Sequence, residues 1–376
     1  MLYDKLAKHA ASGIYPMHMP GHKRNPEFSS PGLPYEIDIT EIHGFDDLHN
    51  PQGILQDTAE LAARLYGSDK AFLLVNGSTV GILAAIGAHT SRGDKVLITN
   101  NYHRSVSNAT SLFGLTPVFI TPETDDATGI ERSVDPSVVG AALDMDPDIR
   151  LVVVTSPSYE GIISDIRAIA GVVHIRGIPL LVDGAHGAHL DFSPGFPGGA
   201  VKAGADIVVM SLHKTLPALT QCSLLHACTK RANVVEIERL LGILQTSSPS
   251  YVLMASSDRC LGLLAAKKDR MFHEYEQNLD QFSRRAKSLK RLDVLYHGSA
   301  AGHVGFFGFD PGKIVILTKK AALSGLMLAD TLRTDYKIEL ELACTDYAIA
   351  MTSICDSAEG LIRLAEALSE IDRNLG

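Results

Sequence analysis

Short apolar runs recur along the first half of the chain, and stretches of helical spacing separate them. Residues 71–75, 95–99, 117–120, 151–155, 179–182 and 206–210 are too brief for helices and too apolar for loops, so they predict buried strands. Helical spacing covers residues 56–65, begins again at Ser105 and returns near 136–143. Beyond Lys214 the pattern changes. Residues 232–244 and 252–289 predict long amphipathic helices, and weaker strands at 313–317 and 347–351 alternate with helices at 321–332 and 358–373. A large α/β unit with a mostly parallel sheet is therefore expected, followed by a smaller α+β lobe. After a short amphipathic helix at the start, residues 13–57 show little period and many Pro, Gly, His and Asp residues, which predicts an ordered arm lying over the rest. The expected division is 1–57 for helix and arm, 58–250 for the large domain and 251–376 for the small one.

Composition narrows the classes of partner. The 376 residues are 45% hydrophobic and 20% charged, with a formal net charge of −9. Such an acidic chain argues against nucleic acid or an anionic membrane and leaves small molecules as the expected partners. Five cysteines without a CxxC pair fit a reducing compartment. No signal peptide or transmembrane span is visible, so the expected location is the cytoplasm.

The chemistry gathers where two predicted strands end. The run 179–182 leads into Asp183-Gly-Ala-His186-Gly-Ala-His189, and the run 206–210 leads into Ser211-Leu-His213-Lys214-Thr215. In open α/β sheets ligands bind beyond the carboxyl ends of strands, so a carboxylate and a lysine delivered there can face one ligand from two sides. Pyridoxal 5'-phosphate asks for that pair: its aldehyde needs a lysine, and its ring nitrogen needs an anionic partner. Two plainer readings stand beside this one. Asp183 could be a helix cap and Lys214 a solvated charge. His186 and His189, with Asp183 and Asp191, could instead be metal ligands, although a metal leaves Lys214 unexplained and no metal is expected.

Further candidates lie on other turns. Asn76-Gly77-Ser78-Thr79 is a strand-to-helix turn whose backbone N–H groups and hydroxyls suit a phosphate, or serve as ordinary caps. His103 falls at another strand end, where it could stack on an aromatic cofactor or cap a helix. The arm carries Glu41, Asp46, Asp47 and His49, ionisable groups that suggest the lining of a polar site.

In these motifs the chain resembles the bacterial ornithine/lysine/arginine decarboxylases, members of the aspartate-aminotransferase-like group of pyridoxal phosphate enzymes. The matching stretches are Pro20-Gly-His22-Lys, Asp38-Ile-Thr-Glu41 with Asp46-Asp-Leu-His49, Asn76-Gly-Ser-Thr79, Asp183-Gly-Ala-His-Gly-Ala-His189, Ser211-Leu-His-Lys-Thr-Leu-Pro217 with Leu219-Thr-Gln221, and Ser247-Ser-Pro-Ser-Tyr251. They follow the family's order over nearly the whole chain. The resemblance implies a three-layer, mostly parallel sheet of the aspartate-aminotransferase-like type. It implies Lys214 as the lysine that bonds the cofactor, Asp183 as partner of the ring nitrogen, and His103 stacked on the ring with His186 beside Asp183. Ser78, Thr79, Ser211 and His213 match phosphate-holding positions, and Ser247 and Ser248 match residues that reach the phosphate of a neighbouring subunit in a homodimer with shared sites. Glu341, in Ile338-Glu-Leu-Glu341, matches an acidic residue near the substrate; Asp46 and Asp47 on the arm are candidates for the same task.

The implied activity is a lyase reaction: decarboxylation of arginine, lysine or ornithine to a polyamine precursor and CO2. Other pyridoxal phosphate reactions, such as transamination, aldol cleavage or elimination, remain alternatives because the fold does not choose the bond that breaks. A catalytically weak regulatory homologue is a further one. Two departures bear on these expectations: Gly184 stands where the family usually has Glu, and family members carry an additional C-terminal domain after the point where this sequence stops at Gly376.

Overall fold

The computed structural model describes residues 1–27, 30–295 and 305–375. Its strands, in chain order, are β1 (Lys70–Leu74), β2 (Lys95–Thr99), β3 (Thr116–Ile120), β4 (Ile149–Thr155), β5 (Ile162–Ile163), β6 (Leu180–Asp183), β7 (Ile207–Ser211), β8 (Ser223–Ala227), β9 (Asp293–Leu295), β10 (Gly308–Phe309), β11 (Lys313–Leu317), β12 (Leu342–Ala343) and β13 (Tyr347–Met351). Seven of them form one sheet in the order β1-β8-β7-β6-β4-β2-β3. β3, β2, β4, β6 and β7 run parallel, whereas β8 lies antiparallel to both β7 and β1. The expected α/β architecture is present, with an antiparallel margin that the sequence reading lacked. β8 was not predicted; it enters between β7 and β1 and runs against both, so the edge strand β1 keeps the direction of β7.

Alternation along the central strands builds the layers, since successive side chains of a strand point to opposite faces. Val152, Val154, Leu180, Val182, Val208 and Met210 enter one core, and Leu151, Val153, Leu181, Ile207 and Val209 enter the other. Both faces are covered, which is why these runs read as uniformly apolar. The helix Gly77–Ala88 is apolar all round because it is sandwiched between the sheet and the helices Val234–Leu244 and Arg104–Phe113. Gly81 permits its approach: a Cβ there would sit 2.7 Å from Leu74 Cδ1 and 2.9 Å from Val209 Cγ1.

The second sheet, β12-β13-β11-β9, is antiparallel throughout. The helix Tyr251–Ala286 runs from the large core, where Tyr251 and Met254 are buried, to the small sheet, where Tyr275 Oη lies 2.6 Å from Thr352 Oγ1. Ser250 caps its start by accepting from Leu253 N–H. The predicted helix at 321–332 instead occupies Gly325–Thr334, because Ser324 caps it and Gly325 N–H donates to Thr345 O, which ties its first turn to the loop before β13. Another helix, Ile166–His174, follows β5 and was not predicted. The expected arm is anchored by buried Ile39 and Phe45, by His49 Nε2 2.9 Å from Thr246 O, and by the Tyr251 hydroxyl donating to Asp46 O. Among the described residues no helix is long and apolar enough to cross a membrane.

Candidate active site

The parallel pairing of β6 with β7 brings Asp183 level with Val209, so Asp183 and the turn after Ser211 emerge on the same side of the sheet. Lys214 stands on the single helical turn Leu212–Thr215 that follows β7 directly. Asp183 is 2% exposed and accepts one backbone hydrogen bond, from Ala185 N–H at 3.1 Å. Burial raises its pKa, against the opposing pull of that N–H, Lys214 and His103. Burial lowers the pKa of Lys214, while Asp183 and Glu341 work the other way. A buried carboxylate with so few donors is costly unless a cation joins it.

His186 lies between two amines. Its Nε2 is 3.0 Å from Lys214 Nζ and its Nδ1 is 2.8 Å from Lys313 Nζ. Burial first, then Lys313 and Lys214, hold its pKa well below the usual histidine range. The ring of Tyr159 lies 4.9 Å from that of His186, and the Tyr159 hydroxyl donates to Glu341. His103 caps the helix Arg104–Phe113, its Nδ1 accepting from Ser105 N–H at 3.2 Å. Partial burial lowers its pKa; Asp183 opposes this and Lys214 reinforces it. The capping role is therefore present, in a place where the ring also feels both reactive groups.

Hydroxyls gather at the start of the helix Gly77–Ala88. Ser78 Oγ contacts Ser211 Oγ and lies 3.5 Å from Ser223 Oγ. Gly77 takes a left-handed φ of +73°, and its N–H is satisfied by Gln221 O. The next N–H groups, of Ser78 and the exposed Thr79, lie in the first turn, where helices offer donors to anions. His213 Nδ1 donates to Cys222 O at 2.9 Å.

One expected residue, Asp46, is engaged elsewhere. Asp46 spends its carboxylate on backbone: Oδ1 accepts from Asp47 and Gln52 N–H, and Oδ2 from Gly53 and Leu55 N–H, all at 2.9–3.0 Å. It closes a loop at the start of the helix Ile54–Tyr66, and the structure does not bring it to the Lys214 cluster. Ser247 and Ser248 are exposed on a turn tied to the start of the helix Gly77–Ala88 by Thr246 N–H donating to Asn76 Oδ1 at 3.1 Å. His186 and His189, paired in the metal reading, take different partners: His189 Nε2 lies 2.9 Å from Asp310 Oδ1. At Gly184, a Cβ would lie 3.3 Å from Val208 Cγ1 and 3.5 Å from Val209 O, so a side chain would begin in close contact with β7 and the Val208 side chain would have to give slightly.

The sequence reading missed Lys313, Asp310, Tyr159 and Glu160. Lys313 is 1% exposed, and burial lowers its pKa to about 8 against the support of Asp310, Glu341 and Glu160. Glu160 accepts from Ser158 Oγ and from the Tyr347 hydroxyl, each at 2.9 Å.

Residues 1–320 match the family model for the Orn/Lys/Arg decarboxylase major domain. The uncharacterized protein YaaO of Bacillus subtilis is 39% identical over 327 residues, covering 85% of this chain and 67% of the relative. An arginine decarboxylase of Bacillus subtilis is 33% identical over 382 residues, covering 100% of this chain and 77% of that protein. The solved lysine decarboxylase LdcF of Francisella novicida superimposes with a TM-score of 0.85 at 18% identity, over 99% of this chain and 60% of LdcF. At that identity the likeness concerns the fold. The chain spans less than two thirds of that solved structure.

Proposed function

The chain belongs to the Orn/Lys/Arg decarboxylase family, and from that premise we propose that it uses pyridoxal 5'-phosphate to decarboxylate a basic amino acid, either arginine, lysine or ornithine. The observation that carries this reading is the delivery of Asp183 and Lys214 from adjacent parallel strands to one side of the sheet, with His186 against Lys214.

The residues fit the cofactor. Asp183 is a buried carboxylate short of donors, which a protonated ring nitrogen would supply. Ser78, Ser211 and the first turn of the helix Gly77–Ala88 would hold the phosphate, with Thr79 at the exposed margin. His103 would flank the ring. Bound there, the cofactor supplies the electron sink that takes up the pair released when the carboxylate leaves. Asp183 would keep the ring nitrogen protonated, Lys214, its pKa lowered by burial, would offer a neutral amine for bonding the cofactor, and Lys214 once released and protonated, or a neighbouring histidine, would return a proton to the α-carbon.

Glu341 gives the site its preference. Its carboxylate, held by the Tyr159 hydroxyl, offers a desolvated ammonium or guanidinium the partner it needs. The reading also includes a homodimer that makes a polyamine precursor, which rests on the family resemblance, and a cytoplasmic location, which rests on the sequence expectations alone. The test is CO2 release from arginine, lysine and ornithine in turn, with the absorbance spectrum of the purified protein recorded alongside. Release from at least one of them by the cofactor-loaded protein is expected; a loaded protein that releases none would overturn the reading.

A further inference from the structure

Lys313 opens β11 yet lies inside the protein. Gly161, at φ +97°, packs over its stem: a Cβ at Gly161 would come within 2.7 Å of Lys313 Cγ, and Gly161 O accepts from Asp310 N–H at 2.8 Å. The ammonium therefore cannot swing freely, and it ends 2.8 Å from Nδ1 of His186. Around it stand the ring of Tyr159 at 5.8 Å and the carboxylates of Asp310, Glu341 and Glu160, which favour its charge, while Lys214 opposes it. His186 is also faced by His189 and His103, and Lys214 by Asp183 and Glu341.

Donor counting settles the protons. An ammonium can only donate, and a neutral imidazole has one donor nitrogen and one acceptor. If Lys313 is charged, Nδ1 of His186 must accept, its proton must sit on Nε2, and that N–H faces Lys214 Nζ at 3.0 Å. Lys214 can accept it only as a neutral amine. The reverse arrangement, with a charged Lys214 donating to Nε2, would need Lys313 to be neutral among three carboxylates.

We propose that Lys313 is a positioning residue for the reactive lysine: its ammonium fixes His186 in the Nε2–H tautomer, and that N–H holds Lys214 as a neutral amine. The proposal rests on the reading of Lys214 as the nucleophile, but the tautomer belongs to the protein without cofactor and can be observed whether or not the chain releases CO2.

The experiment is NMR of isotope-labelled histidine in the full chain, with His186→Asn identifying the resonance, joined to competitive acetylation of Lys214 across pH. The wild-type protein should show neutral His186 protonated on Nε2 at neutral pH. Lys313→Met should break that preference and slow acetylation of Lys214 near neutral pH by about tenfold, the effect of a rise of about one pKa unit. A wild-type His186 protonated on Nδ1, or charged, would overturn the proposal even if Lys313→Met fails to fold. So would a folded Lys313→Met protein with the same tautomer and the same Lys214 profile. If these signatures hold while no basic amino acid loses CO2, the lysine arrangement stands and the decarboxylase reading falls.

Discussion

The hydroxyl of Tyr159 donates to the carboxylate of Glu341 across 182 positions of sequence. The contact joins the loop between β4 and β5 to the segment just before β12, and so it carries an acid from the small sheet to the margin of the Lys214 site. Replacing Glu341 with Gln keeps the shape and removes the charge. Because a hydrogen bond to a charged group contributes roughly 1.5–3 kcal/mol, kcat/KM for the preferred basic amino acid should fall by about tenfold or more. Steady-state kinetics on a neutral analogue of the same length provides the control. An equal loss on that analogue would mean that Glu341 does not read the substrate's charge.

Asp183→Asn should leave cofactor binding largely in place and lower turnover. One preorganised electrostatic contact is typically worth roughly 2.7–4 kcal/mol of barrier, or about a hundredfold to a thousandfold in rate. Spectrophotometric titration with the cofactor separates binding from turnover, and near-normal turnover would contradict the role given to Asp183.

Asp46→Ala tests the structural place of that residue. Four backbone N–H groups lose their acceptor, so the variant should be less stable by about 1 kcal/mol, as when a helix cap is removed, with its relative rates on the three basic amino acids unchanged. Against a cost of burial, the N–H groups of Gln52, Leu55, Asp47 and Gly53 hold the Asp46 pKa below its ordinary value. The folded-state pKa lies below the unfolded one, so the contribution is present above the unfolded pKa, near about 4, and disappears as pH falls through the folded value. Urea unfolding of both proteins should therefore show a gap at pH 7 that narrows on acidification.

Ser247 and Ser248 are exposed on the turn that Thr246 ties to Asn76. If a two-fold dimer shares its sites, an isologous interface lets each subunit complete the other's. Mixing inactive Lys214→Ala subunits with Ser247→Ala/Ser248→Ala subunits should then restore part of the activity. Verified exchange without recovery would confine the serines to their own subunit or remove them from the site.

Much of the fold was legible because the parts of strands buried on two faces are apolar without a break, as residues 151–154 of β4, 180–182 of β6 and 207–210 of β7 are. Asp183 and Lys214 were legible for a related reason: polar groups directly after such strands stand out. Lys313 was not. Among the described residues three strands open with a lysine, and in β1 and β2 it is the surface residue that the pattern suggests, Lys70 pairing with Glu238 and Lys95 with Asp146. Only the tertiary packing of Gly161 and His186 makes the third one different. Asp46 misled in the opposite direction, since the spacing that places four backbone N–H groups around it is a property of the folded loop.

Lys214 is proposed to bond the cofactor, and borohydride reduction of the cofactor-loaded protein, followed by peptide mapping, reads that bond out. The pyridoxyl label should lie on the peptide that contains Lys214 and be lost from it in Lys214→Ala. A label on Lys313 or any other lysine in the wild-type protein would contradict the account.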